Sequence, residues 1–184
     1  MRRLHLDVDA YVALDRASEE KWEYANGEGL AKASAPVRHA AIVTHLVLAL
    51  GRSPACLPLV GQKVETTRTG AYHYPDLVVI CGKPRYGARD EHALINPTLL
   101  VEVLSPSTAD YDRGAKFDHY KSIPELTEYL VVFTDERRVE HRRRVSEAQW
   151  LTTDVIGGSV QLDSIGGVSI TLEEIYADLD RIEP

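Results

Sequence analysis

The sequence predicts a mixed α/β (α+β) fold, a mixed sheet flanked by helices, and three observations carry that expectation. Residues 74–81 and 98–104 form two apolar runs of strand length, and residues 128–134 form a third. A helical pattern over 110–122 separates the second run from the third, so those two strands should pair in parallel across it. Turn signals then frame an N-terminal helix-hairpin and a C-terminal β-meander. All of this is expected within one domain spanning residues 1–184.

The elements follow in order. Asp7 can cap a helix running to about residue 21, with Val8, Tyr11, Val12 and Leu14 as a partial apolar stripe. Asn26-Gly27 lies between two short runs, 22–25 and 28–31, and marks a hairpin. Pro36 suits a first helical turn; His39, Ile42, Val43, Leu46, Val47 and Leu50 then recur at helical spacing until Gly51 ends the helix. Residues 57–66 read as a strand that carries Gln62 and Glu65, followed by a turn and the two central strands. Residues 82–96 are polar and irregular. After residue 134, strands are expected over 137–145, 150–155 and 160–162, with a Gly157-Gly158 turn, and a closing helix over 172–179.

Composition narrows the class. A hydrophobic share of 44% and a charged share of 27% are those of a soluble globular protein. No apolar run approaches the roughly 20 residues that span a bilayer, and the N-terminus meets acid too early for a secretory signal. Cys56 and Cys81 are too few for a disulfide framework or a zinc knuckle, so they are expected as free thiols in a reducing compartment, the cytoplasm. The net charge of −7 opposes bulk coating of nucleic acid, but residues 145–184 carry all of it, with one arginine against eight acids.

The chemistry gathers at two acids. Asp76 heads the first central strand, behind Pro75, and Glu102 interrupts the second, sharing a face with Leu100 and Leu104. A lone buried carboxylate is costly, so it is paired, protonated or bound to a cation. Taken alone, Glu102 could pair with an arginine or lysine, and Asp76 could cap a turn at a strand end. Two on neighbouring strands would make a hard, oxygen-rich site suited to Mg²⁺ or Mn²⁺, the metals of phosphodiester chemistry.

These residues also carry a family resemblance. Glu23 with the Asn26-Gly27 hairpin, His39, Tyr74-Pro75-Asp76, the run Glu-Val-Leu-Ser-Pro-Ser-Thr at 102–108, Tyr111-Asp112 with Lys116, and Ile123 to Tyr129 together resemble the Uma-type restriction endonuclease family. The likeness extends from Tyr11 to Tyr176. It implies a restriction-endonuclease-like, PD-(D/E)XK fold and a Mg²⁺- or Mn²⁺-dependent endonuclease that hydrolyses DNA. By that likeness Asp76 and Glu102 hold the metal with the main-chain carbonyl of Val103. The ion would acidify a water and neutralise charge on the phosphate.

The signature lysine should stand at position 104, where this chain has Leu104. Lys116, on the following helix, is the candidate replacement, set against a plain surface lysine beside Asp112. Glu23 is a further catalytic candidate, against a salt-bridging hairpin glutamate. His39 and Gln62 are expected near the cleft, with Gln62 beside Asp76, and Ser105, Asp112 and Tyr120 are expected to order the loop after Glu102. Two cuts in a duplex call for two sites, and the meander offers strand edges, so a homodimer is expected. The competing reading is a non-catalytic nucleic-acid-binding or protein-interaction module on the same fold, which Leu104 and the net negative charge favour.

Overall fold

The computed structural model describes residues 2–32, 35–104 and 109–182. Its elements are β1 (Arg3–His5), α1 (Val8–Ala17), β2 (Trp22–Ala25), β3 (Glu28–Ala31), α2 (Val37–Leu50), β4 (Cys56–Val60), β5 (Val64–Thr66), β6 (Ala71–His73), β7 (Leu77–Cys81), β8 (Leu99–Val103), α3 (Ala109–Arg113), α4 (Ala115–Tyr120), β9 (Glu128–Val132), β10 (Val139–Arg144), β11 (Trp150–Val155), β12 (Ser159–Leu162), β13 (Val168–Thr171) and α5 (Leu172–Ile175).

A six-stranded mixed sheet, in the order β11-β10-β9-β8-β7-β4, forms the centre. Strand β8 pairs with β9 in parallel and with β7 antiparallel, as the spacing across residues 110–122 predicts for the first pair. Its middle strands read as near-continuous apolar runs, broken by Glu102 in β8, because both faces are covered. Leu77, Val79, Leu99, Val101 and Val103 face one core with α2, α5 and the β12–β13 hairpin. Val78, Ile80, Leu100 and Leu104 face the other, against Tyr120, Ile123 and Tyr129. Glu102 lies on that second face, buried among them.

A five-stranded sheet, β1-β3-β2-β6-β5, leans on α1 through Tyr11, Tyr24 and Tyr72. Asp7 caps α1 by accepting the Ala10 N–H. The helix stops at Ala17 rather than near residue 21, because Asp15 accepts the Trp22 N–H at 2.9 Å and draws the chain back into β2. Asn26 and Gly27 both have positive φ, which gives the tight hairpin the sequence predicts.

One expected strand changes sheets partway, and another starts later than expected. The 57–66 run splits into β4 in the central sheet and β5 in the smaller one, with Gly61 at φ +57° in the break. The expected 74–81 strand begins only at Leu77: residues 74–76, with Pro75 offering no N–H to a ladder, connect β6 of the smaller sheet to β7 of the central one. Asp76 therefore sits at the corner between the sheets. The expected 110–122 helix is likewise two short helices broken at Gly114, whose backbone departs from helical geometry at φ −107°, ψ −98°.

One expectation is overturned. Cys56 and Cys81 are not free thiols: they face each other in the β4–β7 register and form a disulfide. A separation of 25 residues hid the pairing, because only the antiparallel register brings the two side by side.

Candidate active site

Three elements bring the acids together: β2 supplies Glu23, the corner before β7 supplies Asp76, and β8 supplies Glu102. The β7–β8 register pairs Leu77 with Val101. Asp76, one residue before that pair, lies close enough to Glu102 for its charge to push the Glu102 pKa up. The ladder ends there, and the Asp76 carboxylate continues it by accepting the Val103 N–H at 2.8 Å through Oδ2.

Asp76 is surrounded by donors. His39 Nε2 lies 3.0 Å from Oδ2, and Lys32 Nζ lies 3.1 Å from Oδ1 and 2.5 Å from the Tyr74 carbonyl oxygen. Burial pushes the carboxyl up, but the His39 hydrogen bond, Lys32 and the Val103 N–H outweigh it and hold the pKa at about 2. His39 stands in the first turn of α2, so that helix aims its first turn at the acid.

Glu102 has a different environment. It is 2% exposed, and its Oε1 accepts from Lys116 Nζ at 2.8 Å and from the Tyr120 hydroxyl at 3.1 Å. Burial dominates and raises its pKa to about 8; Lys116 opposes this, while Asp112 and Asp76 add to it. Glu23 Oε1 accepts from Lys116 Nζ at 3.0 Å and from the Tyr74 N–H at 2.9 Å. Burial raises Glu23 too, yet Lys116 and His73 prevail and hold it below the usual carboxylate range.

Lys116 thus lies among three carboxylates, with Asp112 Oδ1 at 3.4 Å, and is 3% exposed. Burial would lower its pKa, but Glu102 and Glu23 hold it above the ordinary lysine value. Lys116 is an ammonium shared between Glu102 at 2.8 Å and Glu23 at 3.0 Å, while burial pushes Glu102 toward its protonated form. Lys116 is therefore no surface lysine.

Of the other expected residues, Asp112, His39 and Tyr120 join the site. Gln62 does not: it lies in the loop between β4 and β5, and its Nε2 donates to the His92 carbonyl at 2.7 Å. Ser105 falls outside the described residues. Lys32 and His73 escaped the sequence reading. Lys32 follows β3 with no periodicity to mark it. His73, fully buried, faces Glu23 Oε2 at 3.7 Å and stacks on His119, with Nε2 3.0 Å from His119 Nδ1. Its position in β6, between two tyrosines, was the available signal.

Asp76 and Glu102 offer hard oxygen donors of the kind Mg²⁺ and Mn²⁺ take. Among the described residues no group of three or more His, Cys, Asp and Glu side chains is arranged to hold a metal. In this arrangement lysines meet both acids, so the ion-pair alternative for Glu102 is realised, and Asp76 has a lysine partner as well.

Residues 8–173 match the Uma2 family, described as "Putative restriction endonuclease". An uncharacterized protein of Synechocystis, sll1609, is 31% identical over 162 residues, covering 86% of this chain and 92% of its own length. A second from the same organism, slr1290, is 30% identical over 184 residues, covering 95% and 93%. The crystal structure of a putative nuclease of the DUF820 group from Anabaena variabilis superposes with a TM-score of 0.76 at 16% identity, covering 94% of this chain and 98% of that one. That likeness establishes the restriction-endonuclease-like fold. No described helix is long and apolar enough to cross a membrane.

Proposed function

The chain belongs to the Uma2 family of restriction-endonuclease-like nucleases, and on that premise we propose that it is a divalent-metal-dependent endonuclease acting on DNA. The observation that carries this reading is that Asp76, at the end of the β7–β8 ladder, accepts the N–H of the residue after Glu102 and that its charge acts on Glu102. Asp76, Glu102 and the carbonyl of Val103 would hold Mg²⁺ or Mn²⁺. The ion would supply charge neutralisation at the phosphate and acidify an attacking water.

The chain's own residues do the rest. His39 and the Val103 N–H fix the Asp76 carboxylate from behind, so it does not reorganise when a cation arrives. Lys116 holds Glu102 and Glu23 in one cluster. With Leu104 at the signature position, Lys116 is the lysine that would stabilise charge on the phosphate. Glu23, anionic, fixed by the Tyr74 N–H and held well below the usual carboxylate range, would orient water rather than deprotonate it.

We take residues 1–184 as one domain, working in the cytoplasm where DNA is met; with Cys56 and Cys81 joined, the cysteines no longer argue for that compartment. A homodimer would give two cuts per duplex, and β11, an edge of the central sheet with Leu151 exposed, is the surface for it.

A second reading, a non-catalytic binding module, is favoured by one observation: both acids already have lysine partners. Incubating supercoiled plasmid, linear duplex and single-stranded RNA with the protein in Mg²⁺, Mn²⁺ or EDTA separates the two. The nuclease reading expects metal-dependent nicking of the plasmid that EDTA abolishes. Intact plasmid in every metal, with retained DNA binding, would establish the module instead.

A further inference from the structure

Lys32 Nζ sits between two hard oxygens, Asp76 Oδ1 at 3.1 Å and the Tyr74 carbonyl at 2.5 Å. A carboxylate oxygen is a donor that a divalent cation takes. The other Asp76 oxygen is committed to the scaffold through Val103 N–H and His39. Oδ1 is therefore the oxygen through which a cation would enter, and an ammonium stands on it.

From this geometry we infer that Lys32 is a tethered cation which occupies the metal's seat on Asp76 Oδ1 in the metal-free protein, braced by the Tyr74 carbonyl, and which a divalent ion must displace to bind. The inference rests on the metal reading of Asp76 given above, and it assigns Lys32 a role in setting how tightly that metal is held.

Three features single out Lys32 among the groups that meet the acids of the site. Its side chain is 31% exposed, against 12% for His39 and 3% for Lys116, so its ammonium can move into water without crossing an apolar interior. Its main chain is anchored, the Lys32 N–H donating to the Lys21 carbonyl at 2.9 Å, so release requires only rotation of the side chain. A partly exposed ion pair holds weakly, and a dication places twice the charge on the same oxygen. Lys116 has none of this latitude, because its departure would strand the buried anions it neutralises.

The test is isothermal titration of the full chain with MnCl₂, comparing wild type, Lys32→Met, Lys32→Arg and Asp76→Asn, each first verified as folded by circular dichroism. Lys32→Met should bind Mn²⁺ at least tenfold more tightly than wild type, a difference of about 1.4 kcal/mol. Lys32→Arg keeps the positive charge and should stay within about threefold of wild type. Asp76→Asn should bind none. Unchanged or weaker binding by Lys32→Met, with binding still lost in Asp76→Asn, would overturn the role of Lys32 and leave the metal site standing. Equal tightening by Lys32→Arg would also overturn it, since bulk rather than charge would be responsible. Absence of Mn²⁺ binding in both wild type and Lys32→Met would overturn the metal reading and this inference together.

Discussion

The Asp76 carboxylate accepts the main-chain N–H of Val103 at 2.8 Å, taking the place of a ladder partner where β7 gives way to the corner before it. One side chain thus completes the sheet and offers an oxygen to a cation. Asp76→Ala should therefore lose stability as well as function. Leaving the Val103 N–H unpaired costs about 1–3 kcal/mol, whereas Asp76→Asn retains an acceptor and should lose less. Chemical denaturation of the two variants checks this; equal stability of Asp76→Ala and wild type would mean the N–H finds another partner.

Lys116 should prove structural before it proves catalytic. Removing its ammonium leaves Glu23, Glu102 and Asp112 without a shared cation. Truncating one side of a buried pair typically costs about 3–5 kcal/mol, so Lys116→Met should be strongly destabilised. Adding Glu23→Gln should restore part of that loss, because one fewer anion needs compensation. Denaturant midpoints of the single and double variants measure the coupling, and simple additivity would contradict the shared cluster.

The raised pKa of Glu102 makes stability depend on pH with a definite sign. Unfolded, the carboxyl releases its proton near its ordinary value of 4.5; folded, it keeps the proton until about 8. Between those values the native state binds more protons than the unfolded one, so this group's contribution to stability falls as pH rises. Metal-free protein should lose stability across that window, and Glu102→Gln should flatten the slope. A Glu102→Gln profile parallel to wild type would remove Glu102 as its source.

The Cys56–Cys81 disulfide clasps the edge strand β4 to β7. Reduction should lower stability by about 2–4 kcal/mol, the range for a closed loop of this size. Thermal melts with and without reductant check it, using Cys56→Ser as a control that should ignore the reductant.

Much of the fold was legible because the central strands are buried on both faces. That made residues 77–80 and 99–104 nearly continuous apolar runs, so that Asp76 at the head of one and Glu102 inside the other stood out. The parallel β8–β9 pair followed from one helical stretch between two strands. What stayed hidden was long-range. Apolar runs do not reveal that the chain changes sheets at Gly61 and again at Tyr74-Pro75-Asp76. Gln62 was placed beside Asp76 on the assumption that 57–66 is one strand, and the break at Gly61 turns it toward His92. Lys32 comes to Asp76 across 44 positions, and His73 meets His119 across 46, distances at which no local pattern operates.

The central claim, that Asp76 and Glu102 act together through a divalent cation to cleave DNA, is tested most directly by a plasmid cleavage time course in Mn²⁺. Wild type, Asp76→Asn and Glu102→Gln should be compared at matched folded concentrations. The account predicts that wild type converts supercoiled plasmid to nicked and linear forms, and that each single variant falls to the level of wild type in EDTA. Cleavage at the wild-type rate by either variant would contradict it.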